Sequence, residues 1–323
     1  MKIKEPAFLI DNLKAGDTLK GFTLVLCFSR RWCVQPFFKK FSTLKIDRKN
    51  CHLLVFDNTD NILLQNELLP IIEKQKEKYL SCRYYKTYRQ GGSVLRGERN
   101  DNFYKSKIFP ISEMQHDIIS LVTTGTFVQM EDDEVPQKND AIPRLLCLLE
   151  KENVGIATGV SSARNPDFLP VGMGVHQLVV RDGDRIIKRI CFSPKTKGVV
   201  DAQATGFYLF AAKSDLWLEA LEDAQSVASG LPHWAFDTWV TNQVYQYGYK
   251  ILADFDNWCD HIQILKKDIY RFNKKDAVLD CYVYIPELDI YCYWQNIPAY
   301  GWVTDDENLR GNSKRAGAEI LQR

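Results

Sequence analysis

Short continuous apolar runs alternate with amphipathic stretches through the first half of the chain. "FTLVLCF" (22–28) is followed by "QPFFKKFSTLKI", where Phe37, Phe38, Phe41 and Leu44 fall on one helical face. "CHLLVFDNTDN" is an apolar strand ending in Asp57, followed by turn residues and a second amphipathic stretch carrying Leu63, Leu64, Leu68, Ile71 and Ile72. Repeated β–α units with uninterrupted apolar strands predict a parallel sheet covered by helices on both faces. A helix over "EMQHDIISLVTTG" then leads into the apolar run of "TFVQMEDDEVP", and "AIPRLLCLLEKE" reads as the helix beyond it. In such sheets ligands sit at the carboxyl ends of the strands. Asp57 and the acidic triplet Glu131, Asp132 and Asp133 both stand at such ends.

From about residue 154 the pattern changes. "HQLVV", the turn "RDGD" and "RIIKRI" predict a β-hairpin, because Asp-Gly supplies the positive φ that a tight turn needs. "VVDAQATGFYLFAAKSDLWLEAL" reads as a strand and then a helix with Ser214 at its N-cap. "FDTWVTNQVYQYGYKILADFDNWCDHI" predicts a helix carrying Trp239, Val240, Val244 and Tyr247, a stop at Gly248, a strand, and a loop ending in His261. The tail from about 266 is rich in Tyr and Trp.

Composition narrows the class. The 323 residues include 45% hydrophobic and 12% aromatic positions, enough for a large core in one α/β domain or two smaller ones. Lys and Arg total 42 against 41 acids, so the net charge of +1 gives no global attraction to nucleic acid or an acidic membrane. Nine cysteines without paired spacing favour reduced, buried thiols and a cytoplasmic setting over a disulfide framework or a zinc site. The N-terminus lacks the apolar core of a secretory signal, and no run of about 18 apolar residues predicts a membrane span.

Two charged segments carry candidate chemistry. Residues 74–107 hold ten Lys or Arg with interleaved tyrosines, a composition that suits either a phosphate-rich ligand or a solvated helix and loop. The triplet at 131–133 presses like charges together behind an apolar strand. Such a cluster is costly unless solvated or neutralised by a cation. A solvated acidic loop is the plain alternative.

The order of these pieces resembles a nucleotide-sugar glycosyltransferase of the GT-A fold, most similar in pattern to glycosyltransferase family 2. "TLVLCFSRR" resembles that family's opening strand, "LLVFDNTDN" its second strand and turn, and "FVQMEDDEVP" its D-x-D segment. "VDAQATGFYLFAAKSDLW" with the segment from Phe236 to Ile262 resembles its acceptor half. The resemblance covers roughly residues 20–262 and implies a mixed, mainly parallel sheet flanked by helices. It divides the chain into a donor-binding half (1–153), an acceptor-binding half of the same domain (154–265) and a C-terminal extension (266–323).

By that resemblance Asp133 is a ligand of Mn²⁺ or Mg²⁺, Asp132 faces the ribose or the ion's water shell, and Glu131 supports them. A hard cation there would neutralise the charge that develops on a departing diphosphate. Asp57 would accept from N3 of uracil, which favours a UDP-sugar donor; an Asx-turn is the alternative. Arg99 with Asn100 is similar to an Arg-Asn step of the family that meets the pyrophosphate, and Arg30 and Arg31 are further basic candidates. His261 is a second metal ligand, or else a packed histidine. His233 beside Trp234 would line the acceptor pocket.

Asp237 is the candidate general base of an inverting transfer, or a plain helix cap. The resembling family often shows an acidic residue directly before that base, and here Phe236 stands in its place, which leaves a retaining course open. The acceptor is a glycan or small molecule. Glycosylation of a hydroxymethylated base in DNA and a non-catalytic nucleotide-binding domain are the alternatives.

Overall fold

The computed structural model describes residues 5–88, 108–161, 174–183, 185–192, 196–227, 236–265, 268–272, 282–285, 290–296 and 301–302. The apolar runs of the first half become parallel neighbours: β2 (Phe22–Phe28), β3 (Cys51–Asp57), β4 (Ser81–Lys86) and β5 (Thr126–Glu131), with β1 (Ala7–Asp11) antiparallel on the edge beside β4. Every residue of β2 and β3 is buried. That is the expected state of central strands covered on both faces.

The second half continues the same sheet through β7 (Val154–Ser161), β10 (Val199–Ala202), β12 (Leu209–Lys213) and β13 (Lys250–Leu265). The order β1-β4-β3-β2-β5-β12-β7-β13-β10 is completed by β6 (Glu134–Pro136) and β14 (Asp268–Phe272), both paired to β13, giving eleven strands. β4, β3, β2, β5, β7 and β13 run one way, and β1, β12 and β10 the other. The sheet is mixed and mainly parallel, and both halves share it. β14 brings residues beyond 265 into it as well. A second sheet pairs β8 (Val175–Asp182) with β9 (Arg185–Cys191) and β11 (Ala204–Thr205); Gly183 turns the hairpin at φ +56°. β15 (Tyr282–Ile285), β16 (Ile290–Asn296) and β17 (Gly301–Trp302) form a third.

Among the described residues the helices are α1 (Val34–Phe41), α2 (Ile62–Glu73), α3 (Ile108–Leu121), α4 (Ala141–Leu149), α5 (Ser214–Val227) and α6 (Phe236–Gln246). In α1, Phe37 is buried between Phe28 and Phe41, and Leu44 packs just past its end. In α2, Asn61 caps the amides of Leu63 and Leu64, and Leu64, Leu68 and Ile72 face the core while Leu63 is 54% exposed.

Three local expectations are corrected. Ser214 is the first residue of α5, and its hydroxyl donates to the Thr124 carbonyl at 2.6 Å, tying the helix to the turn before β5. Residues 81–86, inside the basic segment, are a buried strand instead of a solvated surface. The stretch before His261 is a continuation of the long strand β13, because its polar residues find partners: Asp254 takes a two-armed ion pair from Arg144, and Asn257 donates to the Ala141 carbonyl. Among the described residues, no helix is long and apolar enough to cross a membrane.

Candidate functional site

The register brings four strand ends together. Phe28 pairs with Asp57, Asp57 with Lys86, and Cys27 with Glu131. The chain leaves β2 through Ser29 and Arg30 and meets the acidic turn between β5 and β6. Both backbone amides donate to Asp132 Oδ2, at 2.7 and 2.6 Å. The Arg30 guanidinium donates to Asp132 Oδ1 and lies 3.0 Å from Asp133 Oδ1 through the same Nη1. Each of these carboxylates is 1% exposed.

Electrostatics follows from that burial. Desolvation raises the Asp132 carboxyl above its usual range, Arg30 works against the rise, and Asp133 adds to it. Burial disfavours the charge on Arg30, yet Asp132, Asp133 and Glu131 outweigh it and hold the guanidinium firmly protonated. Cys27 is pushed well up by burial and then by Glu131 and Asp132. The triplet is therefore not a solvated loop. A positive group sits among its carboxylates, and that group belongs to the chain.

Hard oxygen donors in this arrangement suit Mg²⁺ or Mn²⁺. Such ions are commonly held by one or two carboxylates together with substrate phosphate oxygens instead of an all-protein cage. Among the described residues no group of three or more His, Cys, Asp or Glu comes together to hold an ion. Asp132 and Asp133 fit the first arrangement. Glu131, half-buried at the end of β5, donates its backbone N–H to the Tyr208 carbonyl at 3.0 Å. Glu134, which the sequence reading passed over, is buried and accepts from the Ser161 hydroxyl at 2.7 Å. His261 stands in register opposite Glu134.

Asp57 is wholly buried and fully engaged. Its Oδ1 accepts from the Thr59 amide and hydroxyl at 3.1 and 2.8 Å, and its Oδ2 from the Tyr84 hydroxyl at 2.9 Å and Lys86 Nζ at 2.6 Å. Burial and the Asp57 charge push the Tyr84 phenol far up. The Asx-turn is present here, together with a buried ion pair to Lys86 that the sequence did not signal. Arg31 lies apart, paired with Glu67 on α2 at 3.0 Å.

Asp237 lies in the first turn of α6, where the helix dipole and exposed amides favour a carboxylate. Its Oδ1 accepts from the Thr238 amide at 2.7 Å, and the Thr238 hydroxyl lies 3.3 Å from Nε2 of buried His176. Gly206 packs against both sides of the site. A methyl group there would come within 3.0 Å of the Tyr208 ring and 3.2 Å of Asp237 Oδ2. Tyr208 is the residue whose carbonyl holds Glu131, and its own hydroxyl bonds Thr205. Asp237 and the acidic segment thus flank one short stretch, Gly206–Tyr208.

Arg99, Asn100, His233 and Trp234 lie outside the described residues. So do residues 89–107 of the basic segment, while Arg83 and Lys86 within it are buried on β4. Trp239 and Trp258 are core residues at 3% exposure each. An open cavity of about 700 Å³ lies at the opposite ends of the strands, lined by Phe22, Thr126, Asn153 and Lys213. It lies away from the strand-end carboxylates.

The sequence matches no family model and no curated protein. Among solved structures, the chain is similar to GalNAc-T7, crystallised with UDP, GalNAc and Mn²⁺. The TM-score is 0.52 at 15% identity, over 77% of this chain and 44% of that one. The fold is GT-A. Similarity also extends to the mannosyltransferase PcManGT from Pyrobaculum calidifontis in complex with GDP-Man and Mn²⁺ (TM-score 0.44, 15% identity, 74% of this chain and 56% of that one). S. aureus TarS 1-349 is a third (TM-score 0.45, 11% identity, 74% and 60%). This GT-A chain spans about half the length of the solved proteins it resembles, 44 to 60%. The acidic turn at the end of β5 stands at the carboxyl ends of the strands, where an open α/β sheet presents a ligand site.

Proposed function

We propose that the chain is a glycosyltransferase that moves a sugar from a nucleoside diphosphate sugar to an acceptor hydroxyl, with Mn²⁺ or Mg²⁺ held by Asp133 and Asp132. What carries this reading is the convergence of two halves of the chain. Asp237 from the second half and the acidic turn from the first flank the one short stretch Gly206–Tyr208, as a base and a diphosphate site must flank the sugar between them. GalNAc-T7, similar in fold, was crystallised with UDP, GalNAc and Mn²⁺, which supports the donor class and the ion.

In this reading Asp132 and Asp133 hold the ion, with Glu131 at the end of β5 and His261, opposite Glu134 within β13, as supporting groups. The ion supplies charge neutralisation at the departing diphosphate. Asp237 takes the proton from the acceptor hydroxyl as it attacks the anomeric carbon from the opposite face, giving inversion. Thr238 and His176 orient its carboxylate. UDP is the donor favoured by the family pattern around Asp57. With four donors already on its two oxygens, Asp57 serves that end of the site by fixing Lys86 and Thr59, and direct pairing with uracil N3 requires one of those donors to leave.

The decisive experiment is Asp237→Asn. The amide keeps the size and accepts from Thr238 as the carboxylate does, so unfolding stability and donor binding should stay near parental while turnover falls by about 10² to 10⁴, the range of a lost general base. Near-parental turnover, or a product that keeps the donor's anomeric configuration, removes Asp237 from the role and points to a retaining course.

A further inference from the structure

We propose that Arg30 is a built-in counter-cation of the acidic turn, for which a divalent ion competes and which the ion drives toward the donor's diphosphate. The inference rests on the metal-dependent reading above and deepens it. One guanidinium nitrogen reaches both Asp132 Oδ1 and Asp133 Oδ1, so Arg30 occupies the position between the two carboxylates that a shared cation would take. The pair is buried, and two like charges at that depth stay ionised together only beside a positive partner.

The backbone and side chain of Arg30 act separately. The amides of Ser29 and Arg30 grip Asp132 Oδ2 whatever the side chain does, so the carboxylate stays in place when the guanidinium leaves. The side chain is the movable part. Its Nε is buried without a hydrogen-bond partner, so the site does not satisfy the whole guanidinium. A planar guanidinium expelled there stays at the carboxyl ends of the strands, and a diphosphate, with oxygens matching its fork of donors, is its natural next partner.

Two opposite effects of one substitution follow. Arg30→Gln removes the competitor, so Mn²⁺ affinity, measured by titrating free Mn²⁺ with electron paramagnetic resonance, should tighten by at least about tenfold. At saturating Mn²⁺ the same variant should bind UDP more weakly, because the expelled guanidinium is gone. A merely structural arginine would lose both affinities together. Unchanged or weaker Mn²⁺ binding in the folded variant overturns the exchange and leaves the metal reading standing. If neither parent nor variant binds Mn²⁺, the metal reading itself falls. The parent offers a check that needs no substitution: saturating Mg²⁺ should abolish slowly rotating Nη resonances of Arg30 in nitrogen-detected NMR, and their persistence overturns the proposal.

Discussion

Asp57 and Lys86 show how a charge can anchor a fold at a residue's scale. Both side chains are fully buried, and the carboxylate has as many donors as it has acceptor sites. Removing one partner leaves the other charged in the core, a change that costs about 3–5 kcal/mol. Asp57→Ala should therefore lower the free energy of urea unfolding by that amount, and a loss below about 1 kcal/mol would show that the pair is not structural. If the variant instead stays folded and loses only its preference for UDP over GDP, Asp57 reads the base directly. Of the charged residues that shape the site, the sequence revealed the acids and hid their partners. Asp57 and Asp132 stand out at the ends of apolar strands. Their partnerships run to Lys86, 29 residues away, and Arg30, 102 residues away, and no local pattern encodes either pairing.

At the scale of elements, the apolar runs of the first half were legible because continuous strands in a parallel sheet need no polar face. β13 was harder to read. Asp254, Asp256, Asn257 and Asp260 resemble loop residues, and only tertiary partners such as Arg144 and Gln137 make them tolerable in a strand. The segment from β11 into β12 is the element that joins the two halves of the site, and Gly206 is its closest contact. An alanine there meets the Tyr208 ring at 3.0 Å and Asp237 Oδ2 at 3.2 Å, tighter than ordinary packing. Gly206→Ala should cost about 1–3 kcal/mol as overpacking and lower turnover at least tenfold by displacing Asp237. Gly125→Ala is the control, because a methyl group there meets nothing within 4 Å. Parental turnover in Gly206→Ala would show that Asp237 tolerates displacement and is not positioned through this segment.

At the scale of the whole molecule, one mixed sheet carries both halves, so ligand binding at the strand ends acts on the stability of the entire unit. β5 and β12 are antiparallel neighbours, and the sheet passes without a break from the strands that end in Asp57 and Glu131 to those that support α6. A donor and ion that bind only the native state stabilise it by RT ln(1 + [L]/Kd), about 2.7 kcal/mol at a hundredfold excess over Kd. Scaled by the usual unfolding entropy per residue over 323 residues, that is a rise of about 4 °C in Tm. UDP with Mn²⁺ should produce a shift of this size, and addition of EDTA should abolish it, because the acidic turn then repels the diphosphate. GDP and CDP with Mn²⁺ should give smaller shifts if the base is read near Asp57. Equal shifts for all three nucleotides would reject base selectivity while keeping the diphosphate site. A UDP shift that survives EDTA would reject the ion, leaving Arg30 as the sole cation of the acidic turn.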